Sequence, residues 1–569
     1  METPAHIIVL AETLIDADPI DYVIVAIYFG FVLGIGVMAR RHVSNSVDFF
    51  LSGRSLPAWV TGLAFISANL GAVEIMGMSA SGAELGLPTV HYFWVGAIPA
   101  MLFLGVVMMP FYYGSKVRSV PEFMRRRFGT GAHLVNALSF ALAQLLIAGI
   151  NLYLLANIVE VILGWRLWIS LIVAAAIVLT YTTLGGLSAA IYNEVLQFFV
   201  IVAALLPLTI IGLNKVGGWS GLQDKVAASA GGAEQLSSWP GTALTGFSSP
   251  FWSVVGIVFG LGFVLSFGYW TTNFVEVQRA MASNSISAAQ RAPIIGSFPK
   301  MFVPFMVIFP GMIAAVIVTE ISKPKNNGGT PDYNNALLYL IRDLLPNGML
   351  GLAIAGLLAS FMAGMAANIS AFNTVFSYDL WQTYVIKDKE DHYYLTVGRV
   401  ATVAATLIAI GTATFAASYT NIMNYLQTLF GFFNAPLFAT FILGMFWKRM
   451  TATAGWAGLV SGTLAAVLVG IASEDALGTL SQGWLSLSGQ GASFVAAGAA
   501  FVVDILVSAA VTMVTRPRKE SELRGLVYSL TPKQDFHDEN EGELPWWQKP
   551  NILASIALVM VIGLNLIFW

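Results

Sequence analysis

Polar residues interrupt an otherwise apolar stretch at residues 62–77, GLAFISANLGAVEIMG. Asn69 and Gly71 favour an unwound backbone, and the carboxyl group of Glu74 follows one turn later. An acid near the bilayer centre is costly and by default marks a transport pathway. Unwound carbonyls can bind a small cation, while an exposed helix N-terminus attracts polar groups. The pattern therefore predicts an ion and solute site, although Gly71 alone is equally compatible with tight helix packing.

The composition places this stretch in a membrane protein. The chain has 569 residues, of which 57% are apolar and 10% charged, whereas about 25% of the residues of soluble domains are charged. The absence of cysteine excludes disulfides and cysteine-bound metals. No basic run suggests nucleic acid binding, no GxxxxGK[ST] motif suggests ATP drive, and no nucleophile–base or metal-ligand pattern suggests an enzyme. We expect a polytopic all-α protein whose partners are the bilayer and a small polar solute.

The apolar segments define the predicted topology. We predict fourteen spans, at approximately 19–39, 58–83, 88–113, 131–161, 166–183, 187–213, 250–272, 297–320, 349–380, 396–418, 420–446, 452–472, 490–512 and 551–569. Most of the 28 basic residues then fall in alternate loops. The positive-inside rule places those loops in the cytoplasm. The predicted location is the plasma (inner) membrane, with both termini on the extracellular or periplasmic side.

The order of the spans indicates an internal repeat. A second irregular segment at 256–273 contains Gly260, Gly262 and Gly268. Spans 2–6 and 7–11 each begin with such a segment, and five spans per group force opposite orientations, as in inverted-repeat transporters. The predicted divisions are 1–57 (N-terminus and extra first span), 58–213 (first repeat), 250–446 (second repeat) and 447–569 (peripheral spans with a cytoplasmic loop at 513–550).

Five motifs in this order resemble the sodium:solute symporter family, and particularly its sodium/glucose and sodium/galactose cotransporter branch. They are DFFLSGRSLPAW (48–59), RSVPEFMRRRFG (118–129), LGGLSAAIYNEVLQ (184–197), VQRAMASNSISAAQRA (277–292) and LGMFWKRMTATAGWAG (443–458). The resemblance implies a LeuT-like 5+5 inverted repeat with discontinuous helices. It also implies secondary active symport, with Na⁺ as the coupling ion and no organic cofactor.

The resemblance also implies particular site residues. The solute-binding positions correspond to Asn69, Glu74, Tyr92, Tyr269, Trp270, Lys300 and Gln427. An acid near the cytoplasmic exit corresponds to Glu194. Amides and charged groups suit the hydroxyls of a sugar, and aromatic faces suit its C–H side. Three polar family positions are replaced, by Phe93, Gly96 and Ser266, which argues against galactose or glucose held in the usual way. Glu74 and Lys300 either pair or face a charged solute.

The implied cation site departs from the family pattern. The resemblance places it at Ser67, Leu70, Ser360, Ala363 and Gly364, where the family's hydroxyl pair falls on the last two. Few oxygens remain for Na⁺, a hard cation. Three interpretations stay open: a slipped alignment in which Ser360 or Ser370 fills the role, weak Na⁺ binding completed by water, or a proton carried by Glu74.

The sequence therefore predicts cation-coupled symport of a small polar organic solute, with a sugar first among the candidates. The alternatives are a Na⁺-independent uniporter, a proton-coupled symporter of an organic acid or amino-bearing solute, and a transporter-like sensor. Lys300 could instead snorkel to the inner surface, and Glu194 could be a solvated structural acid. For Asp504 we expect a structural hydrogen bond to a neighbouring helix. The sequence predicts no oligomeric state.

Overall fold

A computed structural model describes residues 17–40, 54–115, 117, 119–163, 165–229, 231–239, 241–322, 331–417, 421–473, 487, 489–532, 534, 538 and 544–569. The described chain is helical apart from loops and a backbone bridge between Leu56 and Ser283. The all-α class predicted from the sequence is confirmed.

The described part of the chain forms eighteen helices: α1 (Pro19–Arg40), α2 (Ala58–Asn69), α3 (Ala72–Leu85), α4 (Leu87–Gly114), α5 (Val120–Phe128), α6 (Thr130–Leu163), α7 (Leu167–Val216), α8 (Gly218–Ala227), α9 (Pro250–Thr272), α10 (Phe274–Met281), α11 (Ile286–Ile317), α12 (Ala336–Leu344), α13 (Met349–Val385), α14 (Asp391–Ala416), α15 (Ile422–Phe446), α16 (Ala452–Ala472), α17 (Gly489–Val514) and α18 (Pro550–Ile567). Short helical turns lie at Ala233–Leu236, Thr319–Ser322, Tyr333–Asn335, Glu520–Glu522, Tyr528–Leu530 and Trp546–Gln548.

The number of spans differs from the prediction. Within the described residues, 11 helices are long and apolar enough to cross a membrane, or 12 if α2 and α3 form one bent span. Shorter apolar helices at Pro19–Ile35 and Leu167–Ala176 coincide with two further predicted spans. The count of fourteen is therefore not confirmed. The predicted separation of 166–183 from 187–213 is wrong for the backbone, because α7 is continuous over 50 residues; glycines alone weaken a helix without ending it.

The first predicted irregular segment is broken as expected. Helix α2 ends at Asn69, α3 begins at Ala72, and their axes differ by 55°. Leu70 leaves the helical region with φ −72° and ψ 43°. Gly71 has a negative φ of −69°, so it is not required for a left-handed backbone. A Cβ at Gly71 would lie 3.2 Å from the Cα of Gly364. This glycine therefore serves the close approach of α13 to the break.

The second irregular segment breaks at a different residue. The glycines at 260, 262 and 268 lie within α9, which is a π-helix over Gly256–Ser266 and remains helical to Thr272. The interruption falls at Asn273, whose side chain accepts a hydrogen bond from the Val275 N–H (3.0 Å) and caps α10. The segment 256–273 is therefore irregular as predicted, but its break lies at Asn273 and not at the glycines. These glycines permit close packing instead: a Cβ at Gly268 would lie 3.0 Å from the backbone oxygen of Asn434.

Helix packing brings the two broken segments together. Helix α11 packs along both α2 and α3, and α15 packs against α3 and the last turns of α9. Helix α13 lies against α7, α6 and the broken pair. Helices α16 and α17 pack on the outer side of α15, while α1 covers α7 and α13. The unwound residues are thereby enclosed by protein, which is where irregular backbone is tolerated in a membrane.

Candidate functional site

A cavity opens beside the break between α2 and α3. Its volume is about 110 Å³, measured as the space open to the centre of a water molecule. One water requires about 10–15 Å³ on this measure, so several waters or a small solute fit. All seven predicted solute-binding residues line it: Asn69, Glu74, Tyr92, Tyr269, Trp270, Lys300 and Gln427. The structure thus gathers residues from α2, α3, α4, α9, α11 and α15 around one space.

Lys300 and Glu74 form an ion pair in this cavity. The Lys300 ammonium donates to a Glu74 carboxylate oxygen and to Oδ1 of Asn69. Its nitrogen lies 5.0 Å from the ring centre of Phe93 and 5.1 Å from that of Trp270. Lys300 is 1% exposed, which overturns the snorkelling interpretation. Of the described residues that line the cavity, only these two carry charge, so the lining has no net charge.

Aromatic rings form one wall of the cavity. Tyr269 and Trp270 are adjacent on α9, with ring centres 5.3 Å apart and planes nearly perpendicular. Tyr269 also lies 4.6 Å from the ring of Phe430, and Trp270 stacks on Phe65 at 5.6 Å. Such faces cover apolar C–H surfaces and exclude water. The wall therefore complements the polar groups contributed by α2, α3 and α11.

Two amides outside the cavity lining, which sequence reasoning missed, form a chain of hydrogen bonds from Tyr92. Tyr92 donates its hydroxyl hydrogen to Oε1 of Gln490, and Gln490 donates to Oδ1 of Asn424. Gln490 lies on α17, which the sequence analysis treated as peripheral. Gln427 donates to the sulfur of Met423 (3.4 Å). No local pattern distinguishes Gln490 from an ordinary interhelical amide.

Two of the replaced family positions, Gly96 and Ser266, pack against each other. Phe93 and Ser266 line the cavity. A Cβ at Gly96 would lie 2.3 Å from the Ser266 hydroxyl oxygen. The side chain of Ser266 therefore occupies the space beside Gly96, so residue 96 contributes no side chain to the site.

Oxygen atoms surround the break where the cation was predicted. The Ser360 hydroxyl donates to the Leu70 carbonyl at 2.8 Å. Ser67 Oγ and Asn151 Oδ1 are buried and have no hydrogen-bond partner in the described part of the chain. Ala363 and Gly364 supply no side-chain oxygen, as expected. Asn151 was missed, although its Oδ1 faces the contact between α3 and α13.

Glu194 does not line the cavity. It is 0% exposed, and its carboxylate accepts a hydrogen bond of 2.7 Å from the guanidinium of Arg279. The solvated interpretation of Glu194 is therefore wrong. The pair joins α7 to α10, the helix that follows α9 and its aromatic wall in the chain. A role for Glu194 in the exit path stays a prediction.

Other buried acids have structural partners. Asp504 accepts hydrogen bonds from Thr440 (2.6 Å) and Ser508 (3.0 Å), which links α17 to α15 as predicted. Asp379 accepts a hydrogen bond from His133 at 3.0 Å and is 4% exposed. This contact links α13 to α6.

Comparison with known proteins decides the family. The family model for the sodium:solute symporter family matches residues 49–462. The chain belongs to this family. It is therefore a sodium-coupled solute symporter and not an enzyme.

Individual relatives of this symporter include cotransporters of sugars and inositol. The sodium/glucose cotransporter of Vibrio parahaemolyticus is 30% identical over 461 residues, which cover 78% of this chain and 83% of the relative. Sodium/glucose cotransporter 4 of Danio rerio is 29% identical over 557 residues (93% and 83%). Sodium/myo-inositol cotransporter 2 of Rattus norvegicus is 27% identical over 470 residues (79% and 69%).

A solved structure supports the fold of this symporter. The outward-open, substrate-bound structure of a Na⁺-coupled sialic acid symporter aligns with a TM-score of 0.74 at 19% identity. The alignment covers 89% of this chain and 99% of that one. The LeuT-like fold predicted from the sequence is confirmed.

Proposed function

We propose that this symporter carries a neutral polyhydroxylated solute, a sugar or polyol, together with Na⁺ by alternating access. The observation that carries the proposal is the ion pair of Lys300 and Glu74 inside the cavity. The pair leaves fixed hydrogen-bonding groups without a net charge, which matches the chemistry of hydroxyl groups. Relatives that are named as glucose and myo-inositol cotransporters support the same solute class.

The seven lining residues offer two kinds of contact to such a solute, hydrogen bonds and aromatic faces. Asn69, Glu74, Lys300 and Gln427 offer donors and acceptors, and Tyr92 adds a hydroxyl held by Gln490. Tyr269 and Trp270 cover the C–H face. A charged solute would have to compete with one member of the ion pair for the other, and separating a buried pair is costly. The ion pair therefore favours a neutral solute over the organic acids and amines left open by the sequence.

We propose that Na⁺ binds at the break between α2 and α3. The oxygens available there are Ser67 Oγ, the Leu70 carbonyl, Ser360 Oγ and Asn151 Oδ1, completed by water. Neutral oxygens of this kind suit a hard monovalent cation, and unwound carbonyls hold Na⁺ in other inverted-repeat transporters. Glu74 is engaged by Lys300, which favours Na⁺ over a proton carried by Glu74.

The proposed orientation follows the basic loops. The loops rich in Lys and Arg face the cytoplasm of a plasma (inner) membrane, and both termini lie outside. The Glu194–Arg279 pair then lies on the cytoplasmic side of the aromatic wall, along the proposed exit path. The proposed repeats are residues 58–213 and 250–446, with 1–57 and 447–569 peripheral.

Uptake by purified protein in proteoliposomes tests the proposal. Imposed gradients of Na⁺ or H⁺ are combined with labelled glucose, galactose and myo-inositol, and with amino acids and carboxylates as competitors. We expect an inward Na⁺ gradient to drive accumulation of a neutral polyol, without competition from charged solutes. Accumulation driven by a proton gradient alone, or of a charged solute in preference, contradicts the proposal. Equilibration without any effect of Na⁺ supports the uniporter instead.

A further inference from the structure

A hydroxyl group joins the two broken segments of the fold. Tyr269, on α9, accepts a hydrogen bond from Nδ2 of Asn69 at 3.0 Å. The same hydroxyl donates to Oε1 of Glu276 at 2.8 Å. Asn69 is the last residue of α2, and Glu276 lies in the first turn of α10, just after the break at Asn273. One tyrosine therefore connects both discontinuities.

Glu276 lies behind the aromatic wall. It is not among the residues that line the cavity, although Tyr269 and Val275 are. Its side chain is 0% exposed, and its Oε2 has no hydrogen-bond partner within the described residues. A buried carboxyl group held by a tyrosine at this depth is expensive to keep without a role.

The cations near Glu276 are engaged elsewhere. The Arg279 guanidinium, one turn later on α10, bonds Glu194 (2.7 Å) and the Val275 carbonyl (2.9 Å). The ammonium of Lys300, on α11, bonds Glu74 and Asn69. Glu276 therefore makes no ion pair in the described structure, and its carboxyl group accepts a hydrogen bond from the hydroxyl of Tyr269.

We propose that Glu276 is a positioning residue that holds Tyr269 across the path from the cavity to the Glu194–Arg279 pair. This inference rests on the proposed function, because a gate matters only in a protein that opens the cavity alternately to each side. Movement of α10 away from α2 must break one of the two hydrogen bonds of the Tyr269 hydroxyl. Asn69 bonds both Lys300 and the Tyr269 hydroxyl. A solute that forms hydrogen bonds with Asn69 therefore competes with these two contacts.

The absence of cysteine allows a direct test. In a Met78→Cys background, the introduced thiol lies at the cavity lining. Its rate of modification by a charged, membrane-impermeant methanethiosulfonate reagent is measured in right-side-out and inside-out vesicles. We expect Glu276→Leu to raise the rate at least tenfold from the face that carries Arg291, with less than a twofold change from the opposite face. Glu276→Gln retains an acceptor oxygen and stays within twofold of the parent.

Tyr269→Phe changes one atom and removes both the hydrogen bond to Glu276 and the one from Asn69, so it tests the proposal if Glu276→Leu does not fold. We expect the same one-sided acceleration, and the double variant no faster than either single one. Unchanged rates in both variants overturn the proposal, as does acceleration from both faces, which indicates general loosening. The assay needs neither solute nor Na⁺ gradient. Failure of polyol uptake with one-sided acceleration intact therefore refutes the proposed solute and not the role of Glu276.

Discussion

Lys300 on α11 and Glu74 on α3 form a largely buried ion pair at the cavity, although they lie 226 positions apart in the chain. Asn69 shares the ammonium group, so the pair ties the break in the first core segment to α11. The charges cancel where a solute must bind. Pairing offsets the cost of the mid-membrane acid, so Glu74 serves as a fixed hydrogen-bonding group. Variants that break the pair can therefore test which solute charge the cavity accepts.

Breaking the pair should change which solutes compete. Glu74→Gln leaves Lys300 uncompensated, and we expect inhibition by carboxylate-bearing sugars to appear. Lys300→Met leaves Glu74 uncompensated, and we expect inhibition by amino sugars. Removing one partner of a buried pair costs about 3–5 kcal/mol, so each single variant should also lose thermal stability, and the double variant should recover part of it. Competition assays in proteoliposomes and melting curves in detergent measure both effects.

An exposed pair provides the matched control for this experiment. Lys448 and Glu520 lie 2.7 Å apart with side chains 50% and 62% exposed. Exposed pairs contribute about 0–1 kcal/mol, so Glu520→Gln should leave stability and solute preference unchanged. If Glu74→Gln behaves like Glu520→Gln, the ion pair does not set the charge of the solute.

The sodium site can be tested through the oxygens around the break. Ser360→Ala removes the hydroxyl that bonds the Leu70 carbonyl, and Asn151→Leu removes a buried oxygen that has no hydrogen-bond partner among the described residues. We expect each to raise the Na⁺ concentration for half-maximal uptake by about tenfold, which corresponds to about 1.4 kcal/mol of binding energy. The solute concentration dependence at saturating Na⁺ should change much less.

Ser461→Ala is the control for the loss of a hydroxyl, since Ser461 bonds only a carbonyl of its own helix, Gly458, at 3.0 Å in the described structure. Its Na⁺ dependence should equal that of the parent. Equal Na⁺ dependence of the Ser360, Asn151 and Ser461 variants would falsify the placement of Na⁺ at the break.

Much of the site could be predicted because the membrane makes certain residues conspicuous. Asn69 and Glu74 violate the rule that a span is apolar, and the family resemblance supplied the register for the other lining residues. The pairing of Lys300 with Glu74 could not be decided, because it depends on how α11 packs along α3. Asn151, Gln490 and Glu276 were missed because a single amide or acid on a helix has no local signature of function.

Two predictions about helix breaks differ from the structure. The irregular segment with glycines at 260, 262 and 268 breaks at Asn273, and the spans predicted at 166–183 and 187–213 belong to the continuous helix α7. A glycine permits either an unwound backbone or a close helix contact, and the neighbouring helix decides which. At Gly71 both occur, since the break is present and a Cβ would meet Gly364.

Gly364→Ala should therefore disturb the break. Its Cβ would lie 3.0 Å from the Gly71 Cα and 3.2 Å from Asn151 Oδ1, so α13 must move away from α3. Overpacking of this kind costs about 1–3 kcal/mol. We expect both a lower melting temperature and a higher Na⁺ concentration for half-maximal uptake. Gly411→Ala is the matched control, because Gly411 lies in helix α14 and a Cβ there would have nothing within 4 Å. Similar melting temperatures for the two variants would contradict close packing at the break.

Asp21 on α1 fixes the start of α13 from outside the repeated helices. Its Oδ1 accepts hydrogen bonds from the N–H groups of Gly348 (2.7 Å) and Gly351 (2.6 Å), while Gly348 offers no side-chain cap. Losing a cap costs about 0.5–2 kcal/mol, so Asp21→Ala should lower the melting temperature, whereas Asp21→Asn retains an acceptor and should lower it less. Asp224→Ala, exposed on α8, is the control. Because Asp21 lies outside the cavity lining, Na⁺-driven uptake below the melting temperature should persist in all three variants. Loss of uptake in folded Asp21→Ala would instead assign α1 a part in transport itself.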